Sequence, residues 1–592
     1  MAEQLTNEQQ AAVDSRGRSL LVSAAAGSGK TKVLVERLFS YVEREGANLD
    51  DFLIITYTRA AASELRGKIA RALTERMERD PGNEHLRRQM LRVYRADIKT
   101  VDAFCTALLR ENCHLLGEDA RGHTLRPDFR VLDENDAQAL RERVLARTLD
   151  DFYDRLTPGG ALLADTLGAG RDDSALEALV LELHAKLQAQ PYEDKWLDAQ
   201  RALWSEVPDR IEKTPYGRIL LDEVRRKARH WQRLMQTAAQ EMTQNDALNQ
   251  KYAPAFLDIS YQLEALTAKA DEGWDAARGV SIAFPRLAPV KDSDGGKLKM
   301  RMKALWDGCK AAVKGFGELL NASSGEAAED LRTMAPAMLA LIDLTAEFSR
   351  RYNEEKRRRN AADFSDQEHE AIRLLIGEDG TPTELARTVS TRYREIMVDE
   401  YQDTNEVQNR IFDAISCKGE NLFTVGDVKQ SIYRFRLADP RIFLQHYNTW
   451  PPLAQAGEHE SAKLLLSRNF RSRKEVLEAT NFIFTNVLSA EMGELDYGED
   501  EMLRSGANYV PSDRCGAEFH LLDVPAQAGG QRVRASEAEA AFAAVYIHDM
   551  LTSKFPVQDE KTRELRPVRE EDIVILMRSP STRLLDYRRA LE

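Results

Sequence analysis

The sequence predicts an α/β protein: a parallel sheet wound with helices, interrupted by a long all-helical insertion. Three observations carry that prediction. Short apolar runs alternate with helically spaced segments through the first hundred or so residues; the stretch from about Asn112 to Asp363 is rich in Ala, Leu, Glu and Arg; and strand patterns return from Ile396 onward. Short apolar runs bounded by polar residues suit strands buried on both faces. Their alternation with helices marks βαβ units in a parallel sheet.

Taken in order, "SLLVSAAAGSGKT" is a strand running into a glycine-bearing turn, "TKVLVERLFSYV" has apolar residues at helical spacing, and "DFLIITYT" is a second strand. Within the insertion, "DAQALRERVLARTLDDFYDRL" and "EAAEDLRTMAPAMLALIDLTAEFSRRYNEEKRRR" have the spacing of amphipathic helices, broken by the loop-like "SIAFPRLAPVKDSDGGKLK". No fixed-period repeat runs through it, so an insertion is expected rather than a solenoid. "EIMVD" and "NLFTVGD" resume the strands. Beyond "LLLSRNFRS" and a further helical stretch, "GAEFHLLDV" and "DIVILMRS" are expected as strands too.

A chain of 592 residues exceeds what one core can organise, so several domains are expected. With 43% hydrophobic and 30% charged residues, and a mean hydropathy of −0.49, the composition is that of an ordinary globular protein. No apolar run approaches a membrane span, and "MAEQLTNEQQ" lacks the basic start and apolar core of a signal peptide. Cys105, Cys113, Cys309, Cys417 and Cys515 are scattered without paired spacing, against a disulfide framework or zinc cluster and in keeping with a reducing cytoplasm. The net charge of −14 does not exclude a polyanionic partner, because basic groups can be focused locally. Two basic clusters, Arg59 through Arg95 and "KRRRN" from Lys356 to Asn360, are expected as solvated helix surface.

Chemistry concentrates in two motifs. Ala24-Ala25-Ala26-Gly27-Ser28-Gly29-Lys30-Thr31 sits between a strand and a helix and matches a phosphate-binding loop, G-x-x-x-x-G-K-[ST], except that Ala24 replaces the first glycine. Glycines let backbone N–H groups turn around phosphate oxygens, and the following helix N-terminus adds a favourable dipole. Lys30 would neutralise phosphate charge and the Thr31 hydroxyl would ligate Mg²⁺, implying ATP and Mg²⁺ as cofactors. The second motif is "REIMVDEYQDTN", where the acids Asp399, Glu400 and Asp403 follow an apolar run. Such a bundle holds a metal, does acid–base work or faces water. Beside a phosphate loop, Asp399 can bind Mg²⁺ through water and Glu400 can polarise the attacking water.

These motifs resemble those of the UvrD/Rep-like helicases of superfamily 1. "DEYQD" resembles their motif II, "LTNEQQAAV" the Q motif, "TYTRAAASEL" motif Ia, "VGDVKQSIYRFR" motif III and "LLLSRNFRS" motif IV; in "TVDAF", Asp102 stands where the related T-x-H-x-F segment has histidine, and it is assigned no contact. Within that superfamily, "DEYQDTNEVQNRIF", "LFTVGDVKQSIYRFRLADPRIF" and "ADFSD" resemble the A subunits of bacterial AddAB (RexAB) helicase/nucleases, with RecB the nearest alternative. The resemblance implies a RecA-like fold: domain 1A from residues 1–111 and 363–467, a helical domain 1B over 112–362, and the start of a second lobe, 2A, over 468–592. It implies that Gln9 reads adenine, Phe470 stacks on it, Gln430 senses the γ-phosphate and Arg471 acts as an arginine finger. Tyr57, Tyr433 and Phe435 would stack on DNA bases, while Thr58, Arg59 and Arg436 contact phosphates, with Arg66 in the same groove. The implied activity is 3′→5′ translocation on single-stranded DNA and opening of duplex DNA, in a heterodimer with an AddB/RexB-type subunit that processes double-strand breaks. Nothing resembles motifs V and VI or the nuclease domain, so a fragment is expected. A UvrD-like or RecB-like role in another repair pathway, or ATP and DNA binding with little turnover, stand as alternatives.

Overall fold

Six strands form one sheet: β1 (Leu20–Ala24), β2 (Phe52–Thr56), β3 (Asp97–Thr100), β4 (Glu395–Val398), β5 (Leu422–Gly426) and β6 (Ala462–Leu466). Their order is β3-β2-β4-β5-β1-β6 and every pairing is parallel. This computed structural model describes residues 5–118, 121–167, 174–416, 419–512, 514–524, 527–528, 531–532, 534–559 and 562–592. Cys417 and the side chain of Arg436 lie outside what is described. Two compact units result, Met1–Gly117 with Phe364–Glu592, and Glu118–Asp363.

In the first unit, β2, β4 and β5 are buried at every position, as continuous apolar runs in a parallel sheet require. Helix α1 (Asn7–Asp14) starts in a Thr6–Gln9 capping box, α2 (Lys30–Glu45) follows β1, and α3 (Arg59–Arg79) follows β2 with Thr58 as its N-cap. Leu34, Phe39 and Val42 from α2 meet Val22, Ile54, Met397 and Phe423 from the sheet in one apolar core. Arg37 of α2 is buried there against Glu395 at the start of β4, with Nε to Oε2 at 2.8 Å and a second bond from the other arm of the guanidinium. Tyr41 Oη also donates to Glu395, at 3.1 Å, and the Ala12 carbonyl accepts from Arg37.

The second unit is helical. Pro215–Glu241 and Ala253–Glu272 share a core through Val224, Met235, Phe256, Ile259 and Leu263. Glu134–Asp154 and Ser324–Arg358 share another through Leu140, Val144, Leu341, Phe348 and Tyr352.

Three expectations are corrected. "GAEFHLLDV" and "DIVILMRS" carry no strand among the described residues. A strand persists only with a ladder partner, and neither segment has one there, leaving Phe519 89% and Leu576 89% exposed. "KRRRN" is not uniformly solvated: Lys356 is buried, its Nζ 2.9 Å from Asp363 and its ammonium over the Tyr352 ring. Nor is Arg66 simply solvated, since its guanidinium donates to the carbonyls of Val93 and Ile98 at 2.8 Å each. Among the described residues no helix is long and apolar enough to cross a membrane.

Candidate functional site

All the chemistry-bearing loops of the first unit leave the carboxyl ends of neighbouring strands, where open parallel sheets bind ligands. The turn after β1 passes through Gly27 (φ 68°) and Gly29 (φ 84°), left-handed positions that favour glycine, and delivers Lys30 as the first residue of α2. A cavity of about 560 Å³ opens above it, lined by Ala26, Gly27, Gly29, Lys30, Thr31, Lys32, Val35, Glu36, Lys68, Ala72, Glu400, Gln430 and Arg471. Side chains from the ends of β1, β4, β5 and β6 therefore share one space.

Inside it, Lys30 Nζ lies 2.7 Å from Glu400 Oε2. Glu400 has a left-handed backbone, φ 51° and ψ 43°. Its amide donates to Asp399 Oδ1 at 3.0 Å. Burial, and then the charge of Glu400, push the Asp399 carboxyl up to about 6. Asp403 is pushed up to about 6 for the same two reasons, and its Oδ1 is buried without a hydrogen-bond partner. Gln430 donates through Nε2 to Asp427 Oδ2 at 2.7 Å.

Motif residues after β6 grip the phosphate loop from the other side. Asn469 Nδ2 donates to the Ala26 carbonyl at 2.6 Å, and Phe470 N–H to the Gly27 carbonyl at 2.8 Å. A Cβ on Gly27 would stand 2.6 Å from Asn469 Nδ2 and 2.9 Å from Arg471 Cβ, so this glycine is required by close approach as well as by its φ. Asn469 is only a motif neighbour in the sequence; the fold makes it the clasp.

Other expected site residues lie outside the cavity lining. Ala24 and Ala25 are buried beneath the loop, and Ser28 is 1% exposed, so none of the three lines the cavity. Gln9 does not line it either. Its Nε2 donates to the Ser28 carbonyl at 2.9 Å, bracing the loop, and its Oε1 accepts from Thr6 N–H at 3.0 Å in the capping box of α1. Phe470 is 38% exposed, its ring against Gly506, outside the cavity lining. Tyr57 is half-buried with its hydroxyl 2.5 Å from that of Thr404, the Thr58 hydroxyl caps α3, and Arg59 is exposed. Phe435 is 76% exposed with the Tyr433 ring 5.8 Å away.

Lys32, Glu36, Lys68 and Ala72 line the cavity without having been singled out. The Glu64–Lys68 spacing along α3 marks a surface pair, and nothing in it points toward a loop far away in the chain.

The arrangement suits a phosphorylated ligand with a hard divalent cation. Among the described residues no group of three or more His, Cys, Asp or Glu side chains could hold a metal alone. Mg²⁺ needs few protein ligands when phosphates and water supply the rest. Asp399 fits that role: its ionised form is disfavoured by burial until a cation lies beside it. Thr31 lines the cavity and carries a second oxygen of the right kind, whereas Asp399, one residue before Glu400, is not among the lining residues.

Comparison with known proteins adds the family. Residues 5–451 match the UvrD/REP helicase N-terminal domain. The chain is 32% identical over 590 residues to the ATP-dependent helicase/nuclease A-subunit of Bacillus licheniformis, covering 97% of this chain and 47% of that protein. It is 33% identical over 621 residues to the protein of the same name from Ruminiclostridium cellulolyticum, covering 97% and 49%. For the Alkaliphilus oremlandii protein the identity is 35% over 587 residues, covering 97% and 47%. The chain spans about half the length of the curated relatives it matches.

Proposed function

The chain belongs to the UvrD/REP helicase N-terminal domain family, and on that premise we propose that it is the ATP-driven motor portion of a helicase/nuclease A-subunit. It would translocate 3′→5′ along single-stranded DNA and open duplex ends for recombinational repair of double-strand breaks. In this reading the parallel sheet is RecA-like lobe 1A, residues 112–362 are domain 1B, and 468–592 begin lobe 2A. An AddB/RexB-type partner completes the heterodimer in the cytoplasm.

One observation carries the reading: Lys30 and Glu400, 370 positions apart, meet at 2.7 Å in a cavity shared with Gln430 and Arg471. ATP hydrolysis uses those groups together. Lys30 neutralises β/γ-phosphate charge, Glu400 orients and deprotonates the attacking water, Gln430 senses the γ-phosphate, and Arg471 meets charge developing on the phosphoryl group. Thr31 and Asp399 would hold Mg²⁺, which supplies charge neutralisation at the phosphate oxygens. Phe435 and Tyr433 would carry the strand by stacking, which is sequence-tolerant.

The test is the ATPase rate with and without single-stranded DNA, for the wild-type chain and Lys30→Ala. DNA should stimulate the wild type, and Lys30→Ala should abolish turnover. A rate indifferent to both refutes the motor.

A further inference from the structure

Gln402 lies four residues past the end of β4 and is 2% exposed, yet its side chain is fully engaged. Its Nε2 donates to Glu400 Oε2 at 2.9 Å, the same oxygen that Lys30 reaches. Its Oε1 accepts from the Asp427 N–H, just past the end of β5, at 2.9 Å. β4 and β5 are hydrogen-bonded neighbours with Val398 opposite Thr424, so one amide spans the two loop starts. Asp427 in turn takes the Gln430 amide on Oδ2 at 2.7 Å and the Lys429 ammonium on Oδ1 at 2.9 Å. A continuous chain of contacts therefore runs Lys30–Glu400–Gln402–Asp427–Gln430.

We propose that Gln402 is a positioning residue for the hydrolytic step: it aims the Glu400 carboxylate and ties it to the segment bearing Gln430. The proposal rests on the ATPase reading above. Glu400 has need of such a guide. Its left-handed backbone is a conformation a non-glycine residue holds only where its surroundings fix it, and its carboxylate must release Lys30 to nucleotide phosphate without losing its aim. Once Lys30 moves, the Gln402 N–H is the bond that stays. Only an amide serves: one end must donate to a carboxylate while the other accepts from a backbone N–H. Gly426 makes room for it, since a Cβ there would stand 2.4 Å from Gln402 Oε1 and 3.2 Å from its backbone nitrogen.

Single-turnover ATP hydrolysis by the 592-residue chain, at enzyme excess over a range of enzyme concentrations, separates the saturating rate from half-saturation. The variants are Lys30→Ala, Gln402→Met, which keeps the side-chain length, adds no charge beside Glu400 and removes the amide, and Gly426→Ala, which displaces the amide without removing it. Gln402→Met should lower the saturating rate roughly tenfold or more, with half-saturation within about threefold of wild type. Gly426→Ala should give the same pattern, and melting curves should show both variants folded at the assay temperature. A saturating rate unchanged by Gln402→Met, or a loss that appears only where the melting curve shows unfolding, overturns the positioning role. Hydrolysis that survives Lys30→Ala overturns the nucleotide reading itself, a different result from activity that needs Lys30 and ignores Gln402.

Discussion

Lys30 Nζ and Glu400 Oε2 stand 2.7 Å apart, so the cation expected to receive phosphate is held by the carboxylate expected to activate water. Nucleotide must compete with Glu400 for Lys30. Neutralising the acid should therefore loosen the lysine as well as disable the base. For Glu400→Gln we expect ATP binding to tighten a few-fold at most, because the Glu400 side chain is 42% exposed and solvent screens the pair. Turnover should fall by a factor on the order of 10²–10⁴. Fluorescent-nucleotide titration beside ATPase rates checks both. Weaker binding by Glu400→Gln would show that the contact does not gate the lysine.

Much of the sheet was legible because parallel strands buried on both faces have an unambiguous pattern: "FLIIT", "EIMV" and "LFTVG" are apolar almost without interruption and lie fully buried. The cavity was legible only as separate motifs. Gly27, Lys30 and Thr31 are local chemistry, whereas the approach of Asn469 to Ala26 depends on β6 pairing with β1, which no local pattern encodes. Polar residues misled most. Lys356 and Arg66 look like surface charge in the sequence, but each has a tertiary partner. The alternation in "GAEFHLLDV" reports a preference for extended backbone; a strand also needs a neighbour.

The buried pair of Arg37 and Glu395 locks α2, and with it the phosphate loop, to the first residue of β4. Removing one partner leaves the other charge buried, which typically costs about 3–5 kcal/mol. We expect Arg37→Met to lose that much in urea unfolding. The double variant Arg37→Met with Glu395→Met should recover most of the loss, because it buries no lone charge. A single variant within about 1 kcal/mol of wild type would mean the pair contributes little beyond packing.

Phe435 and Tyr57 separate two kinds of aromatic at the motifs expected to meet DNA. Phe435 is 76% exposed, while the Tyr57 hydroxyl is tied to Thr404. Truncating a stacking ring costs about 1–3 kcal/mol per base. Phe435→Ala should weaken binding of labelled single-stranded DNA accordingly in an anisotropy titration. Tyr57→Leu, which removes the ring, should leave that affinity within about threefold and lower stability by at least the roughly 0.5–1.5 kcal/mol of its lost hydrogen bond to Thr404. Equal affinity losses in the two variants would place Tyr57 on the strand as well.

Glu368, on the helix Phe364–Leu375, should make stability depend on pH. Its carboxylate accepts from Gln408 Nε2 at 2.7 Å and Asn405 Nδ2 at 3.4 Å, with Asp102 among the charges around it. Burial foremost pushes it from its ordinary 4.5 up to about 7, despite the Gln408 bond, and Asp102 adds to the rise. A folded value above the unfolded one means the native state binds the proton more tightly. That contribution is fully present below about 4.5 and is lost as pH rises through about 7. Glu368→Gln keeps an acceptor oxygen and cannot ionise. Between pH ~5 and ~8 the wild type should lose roughly 2–3 kcal/mol more unfolding free energy than this variant. Urea denaturation of both proteins at the two pH values measures the difference. Parallel losses would mean that Glu368 is ionised in the folded protein throughout, its charge balanced by the two amides that hold it.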